Sequence, residues 1–516
     1  MNKHIPVVDL FAGPGGLGEG FTSLNEGEAF KIVVSAEMDK AAHKTLRLRA
    51  FYRLLRNSKS PELNQYYKFC AGKEAIPYND AILSLWEKSG KEAQQLELGV
   101  EEDNQKLFKI IEENNLDENV PWVLIGGPPC QAYSLVGRAR NKGKSNYKAE
   151  DDGRHYLYKE YLKTIQKFKP AVFIMENVKG ILSAKVNGEK IFKTILNDLS
   201  NPDKALGKTD SGTRYKIFSL SSPVQYEYNQ DFSYLDSSKF IIKAEDYGIP
   251  QARHRVILFG VRADINAIPP QLKKSSLVSI DEVINELPKI RSKLSKEIDS
   301  DFNWSINIKS HIAKLTAELN GIDPKDALAE YLAGLSKQFD GELGLGGLRN
   351  MVPSNEIENK YLANWFHDKY LHVILNHESR GHMSTDLRRY LYASSFAKIY
   401  GISPKGPTDF KLKSLKPQHE NWETGKFSDR FRVQLSGKPA TTITSHISKD
   451  GHYFIHPDPT QCRSLTVREA ARIQTFPDNY FFQGTRTEQF HQVGNAVPPL
   501  LARKIAEVAL NLLSRP

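Results

Sequence analysis

The chain has 516 residues, 40% of them hydrophobic and 26% charged, a globular composition with enough material for two or three domains and a sizeable core. Lysine and arginine outnumber aspartate and glutamate by 71 to 61, a formal charge of +10 with an isoelectric point near 9.1, which favours polyanionic partners. The apolar stretch at Ile5–Phe11 is too short, and too broken by Asp9, for a secretory signal, and no later run is long enough to span a bilayer. Three cysteines, Cys70, Cys130 and Cys462, lie at neither metal-ligand nor disulfide-framework spacing, so a soluble, cytoplasmic protein is expected.

In chain order, the first third alternates short apolar runs with helical patterns, at 6–11, 17–24, 31–37 and 40–55, as a parallel βαβ sheet does. From Asn57 to Asn119 the pattern is polar and helical, which reads as an insertion packed on that sheet. The sheet resumes with Val123-Leu124-Ile125-Gly126, again with Ala171-Val172-Phe173-Ile174-Met175, and again with Val256-Ile257-Leu258-Phe259-Gly260-Val261. The stretch 263–457 is irregular and rich in Lys, Ser and Asn, and is expected to be a second domain. Helical patterns return at 466–474, opened by Thr466 as N-cap with Glu469 three residues on, and at 500–513. The expected organisation is a catalytic domain over 1–262, a second domain over 263–457, and a segment 458–516 that returns to the first.

After the first strand comes Gly13-Pro14-Gly15-Gly16-Leu17-Gly18, a formal G-x-G-x-x-G between strand and helix, where glycines let a ligand approach backbone N–H groups. Glu37 closes the second strand, placed to accept hydrogen bonds from ribose hydroxyls, and Met38 beside it suits packing on an adenine. A nicotinamide dinucleotide and an adenosyl-sulfonium cofactor both satisfy this pattern.

Cys130 follows a buried-strand pattern that stops at Gly126-Gly127-Pro128-Pro129, the way a nucleophilic thiol is presented. The next sheet strand ends in Glu176-Asn177-Val178, bringing a carboxylate to the same sheet edge. Arg253 and Arg255 precede the following one at alternating spacing, hence on one face if extended. A thiolate, a carboxylate and arginines suit attack on an electron-poor heterocycle. Addition to C6 of a pyrimidine moves charge to N3, which a carboxylic acid can protonate, and to O2, which arginine can bind. A nearby arginine or helix N-terminus would lower the thiol pKa as this requires. The polar stretch after the cysteine, with Arg138 and Arg140, suits a phosphate backbone.

These motifs resemble, in order, those of the DNA (cytosine-5) methyltransferases. Asp9 to Gly16 is similar to the family's first motif, Glu37-Met38-Asp39 to its second, Gly127 to Gln131 to its catalytic one, and Glu176-Asn177-Val178 and Gln251 to Arg255 to the next two. Arg463 to Pro477 resembles the ninth and Gly494 to Pro499 the tenth. The resemblance implies an α/β fold of the S-adenosylmethionine-dependent methyltransferase type. Its mixed, mostly parallel Rossmann-like sheet has helices on both faces, and a smaller irregular target-recognition domain accompanies it. It implies methyl transfer from S-adenosylmethionine to C5 of a cytosine flipped from duplex DNA, with Cys130 as nucleophile at C6, Glu176 at N3 and Arg255 at O2, and no metal.

Family positions further imply that Phe11, Gly13, Pro14, Gly15, Gly16, Glu37, Met38 and Pro128 hold the cofactor, with Asn495 and Ala496 closing its pocket. Gln131, Ser134, Arg138, Arg140, Arg253 and Thr442 are expected at the DNA. Met38 stands where the family commonly has an aromatic residue. Asp80 and Asp103 are both candidates for the acid that meets the adenine. Pro439-Ala440-Thr441-Thr442-Ile443-Thr444 resembles the family's threonine–aliphatic dipeptide, and Arg388, Arg389, Arg430 and Arg432 are candidate base or phosphate contacts. The expected setting is a monomeric bacterial modification enzyme paired with a restriction endonuclease. RNA cytosine-5 methylation is the nearest alternative, and a nicotinamide oxidoreductase a remote one that leaves Cys130 and Glu176 unexplained.

Overall fold

A computed structural model describes residues 4–129, 157–186, 189–339, 343–351, 357–417 and 430–514. The chain divides into two compact units, one made of Met1–Leu63, Tyr78–Ser276 and Ala496–Pro516, the other of Asn64–Pro77 and Leu277–Asn495.

The first unit is built on a nine-stranded sheet among the described residues. Its strands are β1 (Ile5–Leu10), β2 (Phe30–Glu37), β3 (Ala93–Gln95), β4 (Val123–Gly126), β5 (Val172–Val178), β6 (Tyr215–Phe218), β7 (Gln225–Tyr226), β8 (Ile241–Lys243) and β9 (His254–Arg262). They lie in the order β3-β2-β1-β4-β5-β9-β6-β7, with β8 also paired to β9. From β3 to β5 all pairings are parallel, while β9 runs antiparallel to β5, β6 and β8. Strands covered on both faces read as unbroken apolar runs, as Val123, Leu124 and Ile125 do, each fully buried. On one face Val8, Leu10, Leu124, Phe173, Met175 and Leu258 share a core with Leu162, Ile165 and Phe168 of helix Leu157–Phe168 and with Phe192, Ile195 and Leu199 of helix Ile191–Ser200.

On the first strand's other side lies helix α1 (Gly16–Thr22), which packs closely on the C-terminal helix Pro499–Leu513. A Cβ at Gly20 would stand 2.4 Å from Ala502 Cβ and 2.5 Å from the Arg503 nitrogen, so only glycine permits this approach. Glu19 of α1 is buried and takes two hydrogen bonds from Arg49 of helix α2 (Lys40–Asn57), at 2.8 and 2.5 Å.

The region 57–119 is more than a helical layer on the sheet. Ala93–Gln95 within it forms the edge strand β3, parallel to β2. Helix Leu63–Cys70 belongs almost wholly to the second unit, where the Tyr66 hydroxyl donates to the Asn479 carbonyl at 2.7 Å and the Tyr67 hydroxyl to Asp368 at 2.5 Å. The aromatic face of this helix has a core to enter there, and its tyrosines have acceptors.

The second unit is more regular than its composition suggests. Ser300 caps the 20-residue helix Asp301–Asn320, accepting from the Asn303 N–H at 3.0 Å. Its buried residues Trp304, Ile308, Ile312, Leu315 and Leu319 recur at helical spacing and pack with helices Ala327–Leu335 and Ser384–Tyr400. Helix Val467–Ile473 carries the expected capping box, with the Thr466 side chain and the Glu469 carboxylate each bonded to the other's backbone N–H. No helix among the described residues is long and apolar enough to cross a membrane.

Candidate active site

Reversal of strand order between β1 and β4 creates the crevice at which open α/β sheets bind ligands, beyond the carboxyl ends of the strands. Leu10 and Gly126 are register partners there, and a Cβ on Gly126 would lie 2.6 Å from the Leu10 carbonyl oxygen, which explains the glycine. The chain leaves β4 through Gly127, buried Pro128 and Pro129. Asn177 Nδ2 of β5 donates to the Pro128 carbonyl at 3.3 Å and ties this turn to the neighbouring strand. Cys130, Gln131, Ser134, Arg138 and Arg140 lie outside the described residues.

Glu176 stands beside that turn, its Oε2 3.1 Å from where a Cβ on Gly127 would be. The antiparallel register of β5 and β9 sets Val178 opposite Arg255 and Glu176 opposite Ile257. Glu176 Oε1 meets Arg255 Nε at 2.7 Å, with the side chains 12% and 14% exposed. The contact is ionic and poorly aligned as a hydrogen bond, since Arg255 Nε has no partner in hydrogen-bond geometry, while Nη1 donates to the His254 carbonyl at 2.9 Å.

Arg253, expected at the DNA, is 1% exposed. Burial pushes its pKa well below the usual guanidinium value, with the Arg255 charge acting in the same direction and Glu176 opposing. Its side chain is buried between strands Gln251–Ala252 and β9, close enough to Arg255 and Glu176 to feel both charges.

Three left-handed residues turn the chain after β1: Phe11 at φ +56°, Gly13 at +58° and Gly15 at +96°. A Cβ on Gly13 would meet no described atom within 4 Å, so the loop has open space above it, whereas one on Gly16 would come within 2.3 Å of the Val497 carbonyl oxygen. That contact brings Ala496-Val497 against the glycine loop inside one unit. Glu37 ends β2 with Oε2 accepting from the Gly13 N–H and Oε1 from the Asp39 N–H, both at 2.7 Å, and burial raises its pKa against those two bonds. Phe11 is half-buried and Met38 57% exposed. Beneath the loop Asp9 is fully buried, neither oxygen has a partner in hydrogen-bond geometry, and burial pushes its pKa up to about 8 against the Arg53 charge.

This arrangement fits S-adenosylmethionine: open backbone at Gly13, a carboxylate for a ribose diol, and apolar Phe11 and Met38 for a purine. Asp80 sits on a short exposed turn. Asp103 is committed to the backbone, accepting from the Glu97 N–H at 2.9 Å. Two residues missed in the sequence lie at the carboxyl end of β3: Gln95, the register partner of Glu37, and Glu97 two residues on, both exposed. The two-residue spacing of Leu96 and Leu98 about exposed Glu97 was the available signal, too short to separate from a helix.

In the second unit Thr442 is half-buried and Asn495 is an exposed residue at the end of helix Arg486–Asn495. Arg389 is buried, bonded to Asp386 at 2.8 Å and to the Leu415 carbonyl at 2.8 Å. Arg388 donates to His311 Nδ1 at 3.2 Å and to the Ser414 carbonyl. Arg430 lies 3.5 Å from Asp450, and Arg432 is half-buried with its backbone N–H bonded to the His452 carbonyl.

The family model of C-5 cytosine-specific DNA methylases matches residues 76–203 and 226–511. A Type II methyltransferase of Bacillus paralicheniformis, M.Bpa9945I, is 31% identical over 98% of this chain and 99% of its own. M.AgeI, a Type II methyltransferase of Thalassovita gelatinovora, is 27% identical over 97% and 98%. The DNA (cytosine-5-)-methyltransferase M.ApeKI of Aeropyrum pernix is 25% identical over 76% and 81%. The chain belongs to the C-5 cytosine-specific DNA methylases. It is a DNA (cytosine-5-)-methyltransferase, EC 2.1.1.37, and membership implies use of S-adenosylmethionine.

Proposed function

We propose that this enzyme methylates one short sequence in duplex DNA through a covalent bond between Cys130 and C6 of a flipped cytosine. The observation that carries the reading is the Glu176–Arg255 pair beside Gly127, three residues before Cys130, at the crevice of the sheet. In this reading the Cys130 thiolate adds to C6, Glu176 delivers a proton to N3 and Arg255 binds O2, so that C5 becomes nucleophilic. After methyl transfer to C5, loss of the C5 proton to a base, elimination of the thiolate and return of the N3 proton to Glu176 restore the neutral ring. S-adenosylmethionine, when bound, supplies the electrophilic methyl group. Phe11, the loop Gly13 to Gly16, Glu37, Met38, Pro128, Asn495 and Ala496 would hold it, with Glu97 rather than Asp80 or Asp103 as the acid facing its adenine.

Arg253, buried beside the pair, would support it rather than reach phosphate. Gln131, Ser134, Arg138, Arg140 and Thr442 would contact DNA, with the second unit supplying sequence recognition. The Type II names of the relatives matched over nearly their whole length support pairing with a cognate restriction endonuclease; a cytoplasmic monomer that uses no metal completes the proposal. The test is transfer of labelled methyl from S-adenosylmethionine to duplex DNA and to RNA of matched sequence. Label in DNA alone supports the proposal, and label in RNA alone overturns it.

A further inference from the structure

Thr442 lies between two fixed points that carry no role in the reading above. On its N-terminal side, Gln434 is fully buried, and its Oε1 accepts from both the backbone N–H and the hydroxyl of Thr441, at 2.9 and 3.0 Å. Gln434 is itself pinned. Its Nε2 donates to the Tyr453 carbonyl at 2.9 Å, and its backbone N–H to the Ile455 carbonyl at 3.0 Å. A buried amide with all these bonds made is a rigid support, because losing any of them strands a polar group away from water.

On the C-terminal side, Ile443 is fully buried, and Gly494 presses on the peptide that follows. A Cβ at Gly494 would lie 2.3 Å from the Ser445 nitrogen, 2.4 Å from the Thr444 carbonyl carbon and 2.7 Å from its oxygen. Those are backbone atoms, which cannot swing aside as a side chain can. Helix Arg486–Asn495 is held against them by Gln474, whose Nε2 donates to the Val493 carbonyl at 2.7 Å. Glycine costs helix stability relative to alanine, and here the absence of a side chain is what the contact requires.

We propose that Gln434 and Gly494 are positioning residues that clamp the Thr441–Ser445 segment and set the height at which Thr442 meets the target strand. The inference rests on the reading of Thr442 as a DNA contact. The clamp lies wholly in the second unit. Disturbing it raises the KM for DNA and leaves cofactor affinity alone.

The experiment compares Gly494→Ala, Thr441→Val, Thr441→Ser and Thr442→Ala in the full chain. It reads KM for a methylatable duplex, kcat, the dissociation constant of S-adenosylhomocysteine and the thermal midpoint. Gly494→Ala and Thr441→Val are expected to raise KM for DNA roughly tenfold, the loss of about one positioned hydrogen bond, with cofactor affinity within about twofold of wild type. Thr441→Ser, which keeps the hydroxyl on Gln434, is expected to retain the wild-type KM. If Thr442→Ala raises KM while Gly494→Ala and Thr441→Val do not, the clamp is overturned and the Thr442 contact stands. If Thr442→Ala changes nothing, the DNA contact falls and takes the clamp with it. Parallel loss of cofactor affinity and thermal midpoint in Gly494→Ala would reduce that residue to a structural role and overturn the proposal.

Discussion

Glu176 and Arg255 face each other across β5 and β9 with Oε1 and Nε 2.7 Å apart, both largely withdrawn from water. Antiparallel pairing brings them together from residues 79 positions apart. Glu176→Gln keeps the shape and removes the carboxyl group proposed to protonate N3. We expect single-turnover methyl transfer to fall by about 10²- to 10⁴-fold, the usual worth of a positioned general acid, with cofactor binding retained. An undiminished single-turnover rate would remove Glu176 from the chemistry.

Gly16 and Gly13 separate packing from cofactor access. Alanine at Gly16 drives a methyl group to within 2.3 Å of the Val497 carbonyl, so Gly16→Ala should cost about 1–3 kcal/mol of stability as an overpacked contact does, and weaken cofactor binding. At Gly13 the space is open but φ is +58°. Gly13→Ala should therefore cost only about 1–2 kcal/mol, the left-handed penalty, while still blocking the cofactor. Equal unfolding midpoints for Gly16→Ala and wild type in denaturant titration would contradict the close approach.

We propose Glu97 rather than Asp80 as the acid at the cofactor's adenine. Removing the charge in Glu97→Gln should weaken S-adenosylhomocysteine binding roughly tenfold by calorimetry, as loss of a charged hydrogen bond does, and Asp80→Asn should leave it unchanged. The reverse pattern would return the role to Asp80.

Acid should destabilise the second unit through two buried histidines. Burial pushes His377 down to about 4 and His311 likewise to about 4. His377 Nε2 donates to the Pro288 carbonyl at 2.9 Å, and its Nδ1 sits 3.0 Å from the Thr466 hydroxyl. That hydroxyl already accepts from the Glu469 N–H, so it is left to donate to a neutral ring. Unfolded, both rings take up a proton near pH 6.5. The folded-state pKa values are depressed, so their contribution is present above about 6.5 and is lost as pH falls toward 4, on the order of 3 kcal/mol per ring. Urea midpoints should fall between pH 7 and 5, and less steeply in His377→Gln. An identical slope in the variant would discharge His377 from the effect.

Much of the first unit was legible because its strands are buried on both faces and its turns need glycine. Ile5–Leu10, Phe30–Glu37 and the Glu176–Val178 strand end fall where apolar runs stop, and Thr466 announces its helix through the capping box. Strand β3 was hidden because three residues on a sheet edge, Ala93-Gln94-Gln95, bury only one side chain fully. Helix Leu63–Cys70 was misplaced because its Tyr66, Tyr67 and Cys70 face shows that a core is needed without saying which. The burial of Arg253, expected at the DNA, was hidden for the same reason, since alternation places a side chain on a face and does not tell which face is covered. The support of Thr441 by Gln434 joins residues whose partners are set by tertiary packing, and carries no local signature.

The central claim is that Cys130 makes the bond that activates C5. Base-resolution bisulfite sequencing of plasmid DNA from cells expressing the wild type and, separately, Cys130→Ser tests it most directly. The account predicts methylated cytosines confined to one short motif with the wild type and none with the variant, which still binds S-adenosylmethionine. Methylation that persists in Cys130→Ser, or wild-type DNA left unmethylated by a folded, cofactor-binding protein, would contradict it.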